Sequence, residues 1–446
     1  MKNILKKIVP RAIFTIYHWM LAVCASWRYG YPSRKMIVIG VTGTKGKTST
    51  INFIWSCLQA GGFKTGIIST ANIRIGDTES MNEYHMTMPG RFAIQKLMSE
   101  MVKAGCKYCI VETTSEGINQ YRHVGIDYDI AVFTNLSPEH LPSHAGSFEN
   151  YKAAKLKMFR ALESHEKTLG GKIVEKVIIA NKDNEHADYY LAAIADRKVT
   201  FAIDNSADFI GCNILETDVG VNFEVMSHPL TGAQTEIQKA AFGLGILGRF
   251  NVYNALPAIV IARLAGIGDE QIRNGLSSLA KIPGRMEKIE AGQNFTVIVD
   301  YAHEKQSMTG VLMTANNLKP IGAKTIVLLG AEGGGRDKSK RPIMGELAGE
   351  MADYVIVSNV DPYDDDPKEI LEDIAVAAEG AGKIRGENLF VIEDRREGIR
   401  KALSLGKAGD IVLITGKGAE QSMVMADGKK IPWDDRTVVR EELAML

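Results

Sequence analysis

The stretch Ile37-Val38-Ile39-Gly40-Val41-Thr42-Gly43-Thr44-Lys45-Gly46-Lys47-Thr48-Ser49-Thr50 decides how the chain builds its first sheet. Its β-branched apolar start reads as a buried strand, which breaks into a glycine-spaced turn and then a helix. Gly43 and Gly46 let backbone N–H groups converge on an anion, and the helix beginning near Lys47 adds its positive end. In such a loop Lys47 reaches the β- and γ-phosphates and the Thr48 hydroxyl ligates Mg²⁺. Ile51, Ile54, Trp55 and Leu58 fall on one helical face, and Gly61-Gly62 ends the helix. The pattern implies a nucleoside triphosphate site.

The chain has 446 residues, enough for two or three domains with cores of their own. Formal charge is zero, 53 basic against 53 acidic residues, so nothing supports a nucleic-acid partner. The five cysteines are an odd set in a long chain, which favours free thiols and a reducing cytoplasm. Cys106 and Cys109 have Cys-x-x-Cys spacing, but they enter the apolar run Tyr108-Val111 with no second pair following. Core packing is the expectation there. Residues 13–26 are nearly free of charge, with Lys and Arg on both sides, and are too short to span a bilayer comfortably. Ile13, Ile16, Tyr17, Met20, Leu21, Cys24 and Trp27 fall at helical spacing. A helix docked on the body, or one in peripheral contact with a membrane surface, fits better than an export signal.

Beyond the loop, apolar runs alternate with helical patterns. Strands are expected at Thr65-Ile68, Tyr108-Val111, Ile130-Thr134 and Val177-Ala180, giving a parallel sheet covered by helices. From Val199 to Ala241 the rhythm turns to hairpins, and a helix follows from Asn251 to Gly266. Ile282-Pro283-Gly284 punctuates the chain as a hinge. Five further strands (Thr296-Asp300, Thr325-Gly330, Tyr354-Ser358, Leu389-Glu393, Ile411-Thr415) predict a second, Rossmann-like doubly wound domain. The expected fold is α/β, with a segment at 1–35, a central ATP-binding P-loop domain at 36–282 and a carboxyl-terminal domain at 283–446. A cleft closing over ligands is expected between the two.

Polar residues follow the carboxyl ends of these strands, where open α/β sheets bind ligands. Glu112 follows one strand; Asn135, Glu139 and His140 follow another. With Thr48 they would make a magnesium site, although a histidine after a strand is more often a satisfied polar residue.

These residues carry a resemblance. Gly43-Thr44-Lys45-Gly46-Lys47-Thr48 is similar to the ATP loop of the Mur ligases, which join an amino acid to a peptidoglycan-precursor carboxylate through an acyl phosphate. Thr134-Asn135-Leu136-Ser137-Pro138-Glu139-His140-Leu141 resembles that family's TNLsxDHLD stretch. Tyr151-Lys152-Ala153-Ala154-Lys155 resembles its YxxAK segment, whose lysine is carbamylated. Gly248-Arg249-Phe250-Asn251, Gly284-Arg285-Met286-Glu287, Asp300-Tyr301-Ala302-His303 and Arg336-Asp337-Lys338-Ser339-Lys340-Arg341-Pro342 continue the series in order. Within the family it points to the tripeptide synthetases, the MurE type.

The resemblance implies ATP and Mg²⁺ as cofactors. Gly43, Thr44, Lys45, Gly46, Lys47, Thr48, Ser49, Asn251, Arg285, Asp300 and His303 would hold ATP. Thr48, Glu112, His140 and Lys155 (the last as a carbamate, since an ammonium offers only donors) would hold the metal. Lys47, Glu112, His140 and Lys155 would be catalytic. Thr87, Thr114 and Arg122 align with the muramoyl-dipeptide site; Arg336, Asp361, Gly416 and Glu420 align with the pocket for the incoming amino acid. A cytoplasmic monomer acting on a muramoyl-peptide acceptor and an amino acid is implied.

Departures qualify this. The family's DNPR, whose arginine grips the distal carboxylate of diaminopimelate, reads Val360-Asp361-Pro362-Tyr363, which favours a lysine-like amino acid. TTPD reads Thr87-Met88-Pro89-Gly90, and GKGHE reads Gly416-Lys417-Gly418-Ala419-Glu420. Only residues 1–35 precede the ATP domain, so the uridine-holding domain of the MurE type is expected to be missing. Folylpolyglutamate synthetase-like or MurT-like ligases with a non-UDP or lipid-linked acceptor are therefore the alternative. A non-catalytic nucleotide-binding module would have no need of Glu112, Lys155 and Glu420.

Overall fold

The computed structural model describes residues 11–82, 84, 86–139, 141–164, 166–228 and 237–446. The chain forms two compact units. The first holds residues 1–213, 223–243 and 252–278; the second holds 214–222, 244–251 and 279–446. The sequence boundary expected at 282/283 lies four residues beyond the observed 278/279 junction, and periodicity gave no sign of the two short stretches assigned to the second unit.

With residues 214–222 and 244 left to the second unit, the strands of the first are β1 (Ile37–Thr42), β2 (Thr65–Ile68), β3 (Asn72–Ile75), β4 (Thr78–Met81), β5 (Tyr108–Glu112), β6 (Ile130–Phe133), the small hairpin β7–β8 (Thr168–Leu169, Lys172–Ile173), β9 (Val177–Asn181), β10 (Arg197–Ala202), β11 (Phe209–Thr217), β12 (Gly220–Ser227) and β13 (Gln238–Leu244). Eleven of them make one sheet in the order β13-β12-β11-β10-β9-β6-β1-β5-β2-β3-β4. β1 lies between β5 and β6, parallel to both. Both flanking strands reach it by crossovers, so the loop after β1 opens at a switch point of the sheet, the ligand-binding position of open α/β folds. The register sets Val41 beside Glu112 and Thr42 beside Phe133. The ends of β5 and β6 therefore flank the loop.

The helices of this unit are α1 (Arg11–Arg28), α2 (Lys47–Ala60), α3 (Arg91–Lys103), α4 (Ser115–Asn119), α5 (Phe148–Arg160), α6 (Ala187–Leu191), α7 (Asn251–Leu264) and α8 (Asp269–Ser278). The apolar periodicity of α2 gives it one buried face, yet Thr50, Asn52, Phe53 and Ser56 are buried as well. The cause is α8. A Cβ on its Gly275 would come within 2.8 Å of Cys57 Cα, so only glycine permits this approach, and Ser56 donates to the Gly275 carbonyl at 2.6 Å. Cys106 and Cys109 are buried free thiols in the core, as packing predicts.

The second unit has its own sheet of β14 (Glu287–Ile289), β15 (Thr296–Asp300), β16 (Thr325–Leu329), β17 (Tyr354–Val357), β18 (Leu389–Val391) and β19 (Ile411–Thr415), in the order β14-β15-β19-β16-β17-β18. All pairings are parallel except β14–β15. Buried Val, Ile and Leu fill β15, β16 and β19 on both faces, the pattern of a sheet covered on both sides. Helices α9 (Lys305–Leu318), α10 (Lys340–Met351), α11 (Pro367–Gly380), α12 (Arg395–Leu405) and α13 (Asp435–Leu443) complete this unit.

Candidate active site

In the first unit the loop after β1 is held from both sides. The backbone N–H of Thr44 donates to the Asn135 carbonyl at 2.9 Å, and that of Lys45 donates to Asn135 Oδ1 at 2.8 Å. Thr134 Oγ1 donates to the Lys45 carbonyl at 2.7 Å, and Lys45 Nζ pairs with Glu139 at 3.0 Å. Gly46 caps α2 with φ +80°, and a Cβ there would stand 2.1 Å from Asn254 Oδ1 on α7. Glycine is required by both conformation and space. Lys47 Nζ arches over the loop and donates to the carbonyls of Gly43 and Thr44 at 3.1 and 2.9 Å. Ser49 is buried in the first turn of α2.

Glu112, fully buried at the end of β5, accepts from Thr48 Oγ1 at 3.0 Å, from the Thr70 N–H at 2.8 Å and from Thr70 Oγ1 at 3.0 Å. Thr70 in turn lies 2.9 Å from the Thr87 hydroxyl. Lys155 projects from α5, buried, and its Nζ donates to the Gly43 carbonyl at 2.9 Å. Burial, then the nearby charge of Lys47, holds the Lys155 pKa well below the usual lysine range, against the pull of Glu139. His140 lies outside the described residues. Among the described residues no group of three His, Cys, Asp or Glu side chains is placed to hold a metal.

Thr114 caps α4 by accepting from the Gly117 N–H at 3.1 Å. Arg122 donates to the Met88 carbonyl and to Gln120 Oε1, which draws it to the loop carrying Thr87. Burial and the neighbouring Arg91 lower its pKa. His144, unassigned by sequence, is buried between Asn119 (3.1 Å from Nδ1) and Ser115 (3.0 Å from Nε2). The asparagine amide is a donor, so Nδ1 accepts and Nε2 carries the proton, a tautomer assigned from the hydrogen-bond pattern. Burial and Lys155 lower the His144 pKa, which favours this neutral form.

In the second unit Asp300 ends β15 and accepts the N–H groups of Met286 and Ala302, each at 2.7 Å. Arg285 lies 4.4 Å over the Tyr301 ring. His303 Nδ1 donates to the Tyr301 carbonyl at 2.7 Å. Asn251 donates to the Leu247 carbonyl at 2.7 Å. Tyr301 donates to Glu420 at 3.1 Å. Glu420 pairs with Lys417 at 2.6 Å, and Lys417 also pairs with Asp361 at 2.9 Å. Burial alone would lower the Lys417 pKa, but Glu420 and Asp361 outweigh it and raise the value. Gly416 has φ +109°, and Arg336 lies 3.7 Å from Glu332. Lys417, Tyr301 and Thr70 went unassigned by sequence; the first two lie inside the quoted motifs, which was the available signal.

A model of the Mur ligase middle domain matches residues 41–262, and one of the Mur ligase glutamate ligase domain matches residues 284–418. The UDP-N-acetylmuramyl-tripeptide synthetase of Roseiflexus sp. (strain RS-1) is 35% identical over 430 residues, covering 96% of this chain and 82% of that protein. The chain belongs to the Mur ligase family. Like other Mur ligases it is an ATP-dependent ligase. A second relative, the UDP-N-acetylmuramoyl-L-alanyl-D-glutamate–2,6-diaminopimelate ligase of Bacillus cereus (strain ATCC 14579), is 36% identical over 427 residues, 95% of this chain and 81% of that one. A solved structure of a ligase of that name superposes with a TM-score of 0.61 at 28% identity, covering 92% and 79% of the two chains. Folylpolyglutamate synthase of Mycobacterium tuberculosis shares the Mur ligase fold at 17% identity, with a TM-score of 0.65 over 89% of this chain and 92% of that one.

Proposed function

We propose that this Mur ligase joins a diamino acid to the D-glutamyl carboxylate of a muramoyl-dipeptide acceptor through an acyl phosphate, as a cytoplasmic monomer supplying peptidoglycan precursors. Residues 36–282 act as its ATP-binding domain and 283–446 as its carboxyl-terminal domain. The observation that carries this reading is the buried Lys155 amine on the Gly43 carbonyl. A surface lysine is protonated and inert toward CO₂, whereas one whose proton affinity is lowered by burial reaches more readily the neutral form that attacks it to give a carbamate.

The donor set suits a hard divalent cation. Thr48 supplies a hydroxyl, Glu112 a carboxylate and Lys155, as a carbamate, two more oxygens, with His140 as the fourth residue of the set. Bound there, Mg²⁺ neutralises charge on the phosphoryl groups. Lys47 and the N–H groups at the first turn of α2 bind the phosphates and spread the charge of the transferring γ-phosphoryl. The acceptor carboxylate attacks phosphorus and the bond to ADP breaks. Thr87, Thr114 and Arg122 orient that acceptor. Asn251, Arg285, Asp300 and His303 complete the set assigned to the nucleotide. Arg336, Asp361, Gly416 and Glu420 seat the amino acid. Its neutral amine then attacks the acyl carbon, phosphate leaves, and the amine's proton is lost.

Lys155→Ala is expected to lose ligase activity and to recover part of it when a short carboxylate such as formate is added. Amide formation and ADP release are measured together. Full activity of the alanine variant without additive overturns the reading.

A further inference from the structure

We infer that the outward face of α1 docks on an anionic lipid bilayer. The inward face is made of small side chains. Ala22, Ala25 and Ser26 are buried, and Ser26 sits so close to Gly125 that a Cβ there would fall 2.9 Å from its own Cβ. This lets α1 pack against α3. The opposite arc carries Ile16, Met20, Cys24 and Trp27 at i, i+4, i+8 and i+11, with Tyr17 and Trp19 on its edges. All six are exposed, from 49% at Trp19 to 69% at Trp27 among the large side chains, and no Asp, Glu, Lys or Arg occurs from Ile16 to Trp27. Phe92, in the first turn of α3, adds a further exposed ring.

Charge chooses the occupant. Residues 1–35 contain seven Lys or Arg and no Asp or Glu, and the first acidic residue is Asp77, in a chain whose formal charge is zero. The apolar arc is thus bracketed by positive charge only. Trp and Tyr favour the boundary between headgroups and acyl chains, and basic flanks favour an anionic surface. A second copy using the same face would set two such basic segments against each other. No helix of the described residues is long and apolar enough to cross a membrane, so the contact is one of lying on the surface.

The test uses the full chain with vesicles of phosphatidylglycerol and phosphatidylcholine, against vesicles of phosphatidylcholine alone. Co-sedimentation should be at least about tenfold stronger on the anionic vesicles and should weaken as salt rises. Tryptophan emission should shift to the blue and be quenched by brominated lipid. Met20→Glu with Trp27→Glu should lose most of the binding while keeping thermal stability and ATP turnover. Absence of binding by the unaltered chain overturns the inference, as does undiminished binding by the variant. A variant that changes oligomeric state with no change in vesicle binding overturns it in favour of self-association. Should the variant fold poorly, salt dependence and brominated-lipid quenching of the unaltered chain decide alone.

Discussion

Tyr363 stands in the left-handed region at φ +53°, its N–H donating to the Val424 carbonyl at 3.2 Å and its ring against the backbone of Gly334. The family's arginine at this place would clamp a second carboxylate with two parallel hydrogen bonds, and a phenol cannot do so. Asp361, two residues earlier, is engaged with Lys417. Lysine should therefore be joined in preference to meso-diaminopimelate. Tyr363→Arg should move the ratio of the two products toward diaminopimelate by roughly thirtyfold, the equivalent of about 2 kcal/mol. Competition between the two amino acids, read by mass spectrometry, checks both statements. Faster use of diaminopimelate by the unaltered chain would mean that another residue supplies the cation. The position of Tyr363 was legible in sequence because Asp361-Pro362 marks the motif. The lowered proton affinity of Lys155 was not, because it comes from burial and from Lys47, which is distant in sequence.

The strand, turn and helix from Ile37 to Ala60 behave as one element. Gly46 is its critical joint: φ +80° strains any other residue, and an added methyl group meets Asn254. Gly46→Ala should weaken ATP binding by about tenfold or more, from a conformational cost of about 1–2 kcal/mol together with the displaced amide. Adding Asn254→Ala should restore the part due to the clash and leave the part due to φ. Calorimetric titration of ATP into both variants measures the two parts; equal affinity in Gly46→Ala and the parent would show that the loop tolerates a side chain. Strand and helix were readable here because their signals are local: β-branched residues, then glycines at fixed spacing. Enclosure of α2 was not readable, since it depends on Gly275 of α8 approaching to contact distance.

At the scale of the first unit, a buried charge cluster ties distant segments together. Asp129, at the start of β6, is fully buried and pairs with Lys167 at 2.5 Å and Lys176 at 2.8 Å while accepting the Val38 N–H at 2.8 Å. Lys167 also donates to the carbonyls of Ser33, Met36 and Asp127. Asp129→Ala would leave two ammonium groups without their carboxylate and should destabilise the unit by about 3–5 kcal/mol. Chemical unfolding followed for this unit's transition tests it; an unchanged midpoint would mean that water or another acid takes the place of Asp129. By itself the sequence determined the parallel strands it named, the two α/β sheets, the anion loop and the order of the motifs, because each rests on residues close along the chain; the hairpin rhythm expected from Val199 did not show that β10 and β11 pair in parallel. Only the tertiary structure decided which distant groups meet: Glu112 with Thr48 across 64 positions, Lys155 with Gly43 across 112, and Asp129 with its two lysines. The physical reason is that burial, pairing and proton affinity are properties of neighbours in space, which a crossover sheet draws from far apart in sequence.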